Sequence, residues 1–182
     1  MSAVTATREL TRTFRSMASD IELRVVDPRP GADEALDRAV EVIRAVATHL
    51  TRFEETSALS RANRAPQAWH RVPAELTEAV AAAELAYRTT GGLFDPRVLE
   101  VLLGWGYDRT FAEVIASPSD PAGLCAGGSE AATPTASAAS QAGPWQPAVL
   151  PAARGLGLLH LGGVAIDLGG IGKGLAVRRA AT

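Results

Sequence analysis

Cysteine is almost absent from this sequence: Cys125 stands alone in 182 residues. A single thiol cannot close an internal disulfide or supply a multi-cysteine zinc site, so neither kind of staple is available. Charge of one sign is lacking too. Eighteen Lys+Arg against twenty Asp+Glu leave a formal −2, which excludes the broad basic field of a nucleic-acid binder but permits a local patch. No apolar run approaches about 20 residues, so no membrane segment is predicted. The N-terminus has neither the basic-then-apolar order of a signal peptide nor a lipobox, and the expected location is cytoplasmic. His49, His70 and His160 form no metal-spaced pair. Trp69, Trp105 and Trp145 read as packing residues, not as a stacking platform.

What is present has ordinary globular proportions. Hydrophobic residues at 47% and charged residues at 21% argue against wholesale disorder, and the length suits one medium domain. Residues 1–12 read as a polar lead-in. From 14 to 26, Ile21, Leu23 and Val25 interleave with Asp20, Glu22 and Arg24, the period of a half-buried strand. Asp27-Pro28-Arg29-Pro30-Gly31 breaks it. Leu36, Val40, Ile43, Val46, Leu50 and Phe53 then fall at steps of three and four, which predicts an amphipathic helix. Residues 54–70 read as a structured loop, and 73–90 as a second helix with Pro73 at its first position and Gly91-Gly92 at its end. A short helix is expected after Asp95-Pro96, as far as Gly104. Between 112 and 148 the composition turns to Ala, Ser, Thr, Gly and Pro, a flexible insertion by its composition. Residues 162–167 look like a short buried strand, with a further helix from Gly169.

Three segments concentrate chemistry. Asp167-Leu168-Gly169-Gly170-Ile171-Gly172-Lys173-Gly174 joins an apolar run to a helix. Its glycines allow close backbone approach, the helix start favours anions, and Lys173 could face a phosphate. A tight strand-to-helix turn without a ligand would use the same residues. A Walker loop is excluded because Asp167 and Gly174 occupy the places of its first Gly and its Ser/Thr. A Rossmann fingerprint is excluded because Leu175 stands where its third glycine belongs. In Thr90-Gly91-Gly92-Leu93-Phe94-Asp95-Pro96, the Asp-Pro pair is explained equally well by helix capping. In Ser57-Ala58-Leu59-Ser60-Arg61-Ala62-Asn63, a capped loop after the long helix is the plain alternative.

Taken in order, these segments resemble the ApbE family of FAD:protein FMN transferases. Phe14-Arg15-Ser16-Met17-Ala18 resembles the family's opening strand. Residues 57–63 resemble its "SeLSRlN" stretch, and 90–108 its "tGGaFDPtv…l…wGYd". Asp167 to Ala176 is nearly its "DLGGIgKGlA". The likeness covers about residues 14–111 and 160–180 and leaves the insertion unmatched within one domain spanning 1–182. It implies an α+β fold, the N-terminal portion of the flavin transferase architecture, with an antiparallel sheet packed with helices. The implied enzyme cleaves FAD and moves FMN onto a Thr or Ser of an acceptor protein, with Mg2+ and release of AMP. Carried over by position, Met17, Phe53, Leu93, Phe94, Asp95, Asp167 and Lys173 would line the FAD site, Phe53 replacing a frequent tyrosine. Gly170 would offer a carbonyl to Mg2+, and no catalytic residue is assigned. Arg178-Arg179 depart from the family's acidic residue. The family pattern also continues past the glycine signature, with an Asp and a Thr/Ser that complete the metal site. The expectation is therefore a C-terminally truncated member, with a non-catalytic FAD-binding module or an inert fragment as the alternatives.

Overall fold

The computed structural model describes residues 8–107, 143–151 and 154–182. Asp108, Cys125 and most of the 112–148 stretch lie outside them. The first alternating segment is two strands where one was expected. β1 (Glu9–Ser16) and β2 (Ser19–Val26) pair antiparallel, from Glu9 opposite Val26 to Ser16 opposite Ser19. Half-buried and exposed residues alternate along both, as in a hairpin with one face on the protein. Part of the polar lead-in is thus strand. Its pattern is disguised because Arg12 occupies an inward position, laying its stem along the face. Its guanidinium reaches Asp33 (2.6 Å) and Asp37 (2.9 Å) beyond. The turn, Met17-Ala18, has φ of 50° and 56°, the left-handed pair that a two-residue hairpin loop requires, without the Asn-Gly that usually signals it.

Helix α1 (Ala32–Leu50) carries Asp33 and Glu34 in its first turn, where the helix dipole favours acids. It buries Leu36, Ile43, Val46 and Leu50 along one stripe. Phe53 keeps the helical spacing but lies past the end, because the chain extends at Thr51 (ψ 138°). Inside the expected loop sits a short helix, α2 (Ala58–Arg64), opened by Ser57, whose Oγ accepts the Ser60 N–H at 2.9 Å. Pro73 ends a strand, β3 (His70–Pro73), and precedes α3 (Ala74–Thr89) instead of opening it from within. The Gly92 N–H closes that helix on the Tyr87 carbonyl at 2.8 Å. Helix α4 (Leu99–Gly104) follows.

Strands β4 (Ala148–Pro151) and β5 (Leu156–His160) join β3 in an antiparallel sheet of order β3-β5-β4. Central β5 buries Leu159 and Gly157 against α3. A Cβ on Gly157 would stand 2.6 Å from Thr77 Cγ2, so this crossing of strand and helix admits only glycine without displacement. Residues 162–167 do not form the expected strand. Asn63 takes the place of a neighbouring strand there: its Nδ2 donates to the Ile166 carbonyl (2.8 Å) and its Oδ1 accepts the Ile166 N–H (3.0 Å). The last helix, α5 (Gly169–Ala180), packs on α1 and α3. Ile43, Val46, Leu76, Val80, Leu159 and Ile166 are fully enclosed between helices and sheet. Trp145 joins this core from the end of the Ala/Ser/Thr-rich stretch, donating Nε1–H to the Leu161 carbonyl at 2.8 Å. No helix among the described residues is long and apolar enough to cross a membrane.

Candidate functional site

A cavity of about 580 Å3 opens where three segments meet: the β1–β2 turn, the end of α1 with its following loop, and the start of α5. Each wall has a local cause. The hairpin turn projects Met17 because both turn residues are left-handed. The loop after α1 is held by Ser57, whose hydroxyl donates to the Thr51 carbonyl at 2.5 Å while capping α2. The approach to α5 is held by Asn63 on Ile166 and by the Asp167 N–H, which donates to the Pro96 carbonyl at 2.8 Å. The serine- and asparagine-rich segment is therefore a frame for two of the three walls. A second depression, along the hairpin near Phe14 and Ile21, is more open and is flanked by the exposed Arg15–Asp20 pair and Glu22.

Four of the residues singled out from the sequence line this cavity together: Met17, Phe53, Asp167 and Lys173. Phe53 is 42% exposed and offers its ring to solvent. Asp167 is largely buried. One carboxylate oxygen accepts Arg52 Nε–H at 2.8 Å and the other accepts the Gly169 N–H at 2.8 Å. The carboxylate thus caps the first turn of α5 and removes one of the free donors at that helix start.

Leu93, Phe94, Asp95 and Gly170 stand apart from the cavity wall. Leu93 is 94% exposed. Phe94 packs against the core with its N–H donating to Thr90 Oγ1 at 3.0 Å. A Cβ on Gly170 would come within 3.0 Å of Phe94 Cε2, so glycine here lets the ring pack against the helix start. Asp95 faces Arg97: its carboxylate accepts the Arg97 backbone N–H at 2.9 Å and pairs with Nη2 at 2.7 Å. The Arg97 side chain is almost wholly buried, donates Nη1–H to the Gly143 carbonyl at 2.8 Å and lies over the Tyr87 ring. Hydrogen bonding to Asp95 holds the Arg97 guanidinium above its ordinary pKa, against the opposing effect of burial. α4 begins only at Leu99, with Val98 at its cap position and no side-chain cap, so Asp95 closes a turn onto Arg97 instead of capping the helix, and the Pro96 carbonyl links this segment to Asp167.

Tyr107 and Arg52 are among the lining residues that the sequence did not single out as site residues. Tyr107 lines the cavity from the end of the "GWGY" run. Arg52 lines it with a side chain only 9% exposed, its guanidinium carbon 4.2 Å from the Phe53 ring centroid. Nothing in local spacing shows that Arg52 pairs with an acid 115 positions away. Arg15, Arg52 and Lys173 face Glu54 and Asp167 around the opening. A cavity of this size with one aromatic wall and mixed charge suits a small molecule carrying both a ring system and anionic groups.

The ApbE family profile matches residues 17–182. No curated protein matches the sequence significantly. Among solved structures, the ApbE protein of Thermotoga maritima aligns with a TM-score of 0.63 at 21% identity, over 95% of this chain and 51% of that one. The flavin transferase ApbE of Vibrio cholerae aligns with a TM-score of 0.65 at 16% identity, over 96% and 52%. A histidine-to-glycine variant of that protein aligns with a TM-score of 0.65 at 17% identity, over 96% and 52%. These similarities establish the α+β architecture expected from the sequence. The chain spans about half the length of the solved structures it matches.

Proposed function

We propose that this chain, which belongs to the ApbE family, takes FAD into the cavity beside α5 and serves the transfer of FMN to an acceptor protein. The observation that carries this reading is convergence. Met17, Phe53, Asp167 and Lys173 come from three distant parts of the sequence and line one cavity of about 580 Å3, within the usual range for small-molecule sites. The Vibrio cholerae protein of similar fold is a flavin transferase.

In the proposed reaction an acceptor Thr or Ser oxygen bonds to the FMN phosphorus of FAD. The bond from that phosphorus to the bridging anhydride oxygen breaks, AMP leaves with that oxygen and the bonding pair, and the hydroxyl proton is released. Such a displacement needs positioning and neutralisation of charge more than covalent help from the protein. Lys173 and the positive end of the α5 dipole supply positive charge for the pyrophosphate. Phe53 supplies an aromatic face and Met17 an adaptable apolar contact. Leu93 and Phe94 extend the proposed site outwards, and Asp95, tied to Arg97, shapes their turn.

Magnesium, which the resemblance implies, is not fitted by the described residues. Gly170 could offer one carbonyl, but no group of three His, Cys, Asp or Glu side chains comes together among them, whereas the ion takes about six oxygens, commonly with carboxylates among them.

The test is incubation with FAD, Mg2+ and an acceptor domain, reading AMP and the mass of the acceptor. AMP and FMN-bearing acceptor should form in equal amounts. Intact FAD beside an unmodified acceptor contradicts the transferase reading, and bound flavin without AMP points to a non-catalytic FAD-binding module.

A further inference from the structure

Arg52 is a cavity residue to which neither the motifs nor the family resemblance assigns a role. Its side chain is nine-tenths buried, and its Nε–H donates to Asp167 Oδ2 at 2.8 Å. The carbon of the same guanidinium stands 4.2 Å from the Phe53 ring centroid. One cation therefore holds two of the residues proposed to meet FAD. Burying an arginine and a carboxylate costs hydration that their attraction only partly returns, so such a pair is weak evidence of stability. Its effect on charge inside the cavity is more direct. Arg15 turns to the exposed Asp20 at 3.1 Å. The charge near the opening of α5 then depends on whether Asp167 is opposed by Arg52.

We propose that Arg52 is a positioning residue that makes the cavity selective for anionic flavin nucleotides, by cancelling the charge of Asp167. It acts through Asp167 and not by touching the phosphates; the inference rests on the FAD reading above. Without the guanidinium, the Asp167 carboxylate keeps only the Gly169 N–H and repels a pyrophosphate brought to the same helix start. Riboflavin carries no phosphate and does not feel that repulsion.

FAD and riboflavin titrations, followed by flavin fluorescence anisotropy, test this on wild type, Arg52→Met, Arg52→Lys, Asp167→Asn and the Met/Asn double variant. Arg52→Met is expected to weaken FAD about tenfold and riboflavin less than about twofold. Raising salt from about 50 to about 500 mM should shrink the FAD defect, as screening requires. Arg52→Lys keeps the charge and should recover most of the affinity, and in the Asp167→Asn background Arg52→Met should cost nothing further. Equal losses for both ligands would mean a merely structural role, and an undiminished FAD loss in the Asp167→Asn background would mean direct phosphate contact. Either result overturns the proposal, as does unchanged FAD binding by Arg52→Met. Wild-type protein that binds no FAD overturns the proposed function and this inference together.

Discussion

At the scale of single residues, Asn63 commits its whole amide to one peptide. Both the N–H and the C=O of Ile166 are satisfied by its side chain, and the next residue is Asp167. Asn63→Ala leaves both groups without that partner in a part-buried place, so it should cost about 2–4 kcal/mol. Asn63→Asp should not rescue it, because an ionised carboxylate can accept from the N–H but cannot donate to the C=O. Urea midpoints at wild-type values for both variants would contradict this role. Asp95 makes a different prediction. Asp95→Asn removes a carboxylate that accepts from the buried Arg97 guanidinium and should cost about 1–3 kcal/mol. The folded-state pKa of Arg97 is raised, so its contribution is complete below arginine's ordinary range and is lost only as pH rises through the elevated value. The gap between wild type and Asp95→Asn should therefore not narrow between about pH 6 and 9 on account of arginine deprotonation. Denaturation curves across that window check it.

Among the elements, the closest steric constraint is where β5 crosses α3. Gly157→Ala places a methyl 2.6 Å from Thr77 Cγ2 and should cost about 1–3 kcal/mol as strand and helix separate. Adding Thr77→Ala should return part of that loss in thermal unfolding, and a Gly157→Ala variant as stable as wild type would contradict the close crossing. The same elements show what local pattern can reveal. α1 and α3 were legible because an apolar stripe of period 3.6 is a property of consecutive residues. β1 was hidden because Arg12 occupies an inward position and finds its acids on α1. α2, only seven residues long, has too few turns to show a stripe, although Ser57 is its cap. Residues 162–167 look like a strand by composition, yet their hydrogen bonds go to a side chain.

On the scale of the whole molecule, the cavity exists because the hairpin, α1 and α5 converge, with Asn63 and Pro96 fixing the approach to Asp167. Motif order was enough to recognise the family and to name Met17, Phe53, Asp167 and Lys173. It could not show that Arg52 faces Asp167, since an ion pair between residues 115 positions apart leaves no local periodicity. Nor could it separate Asp95, whose carboxylate is taken by Arg97, from the residues that line the cavity. The central claim is that one cavity built from these three segments receives FAD. Hydrogen–deuterium exchange with and without FAD tests it most directly. FAD should slow exchange together in residues 15–18, 51–54 and 167–173, with the outer face of β4 unchanged. Protection confined to other segments, or none at saturating FAD, would contradict the account.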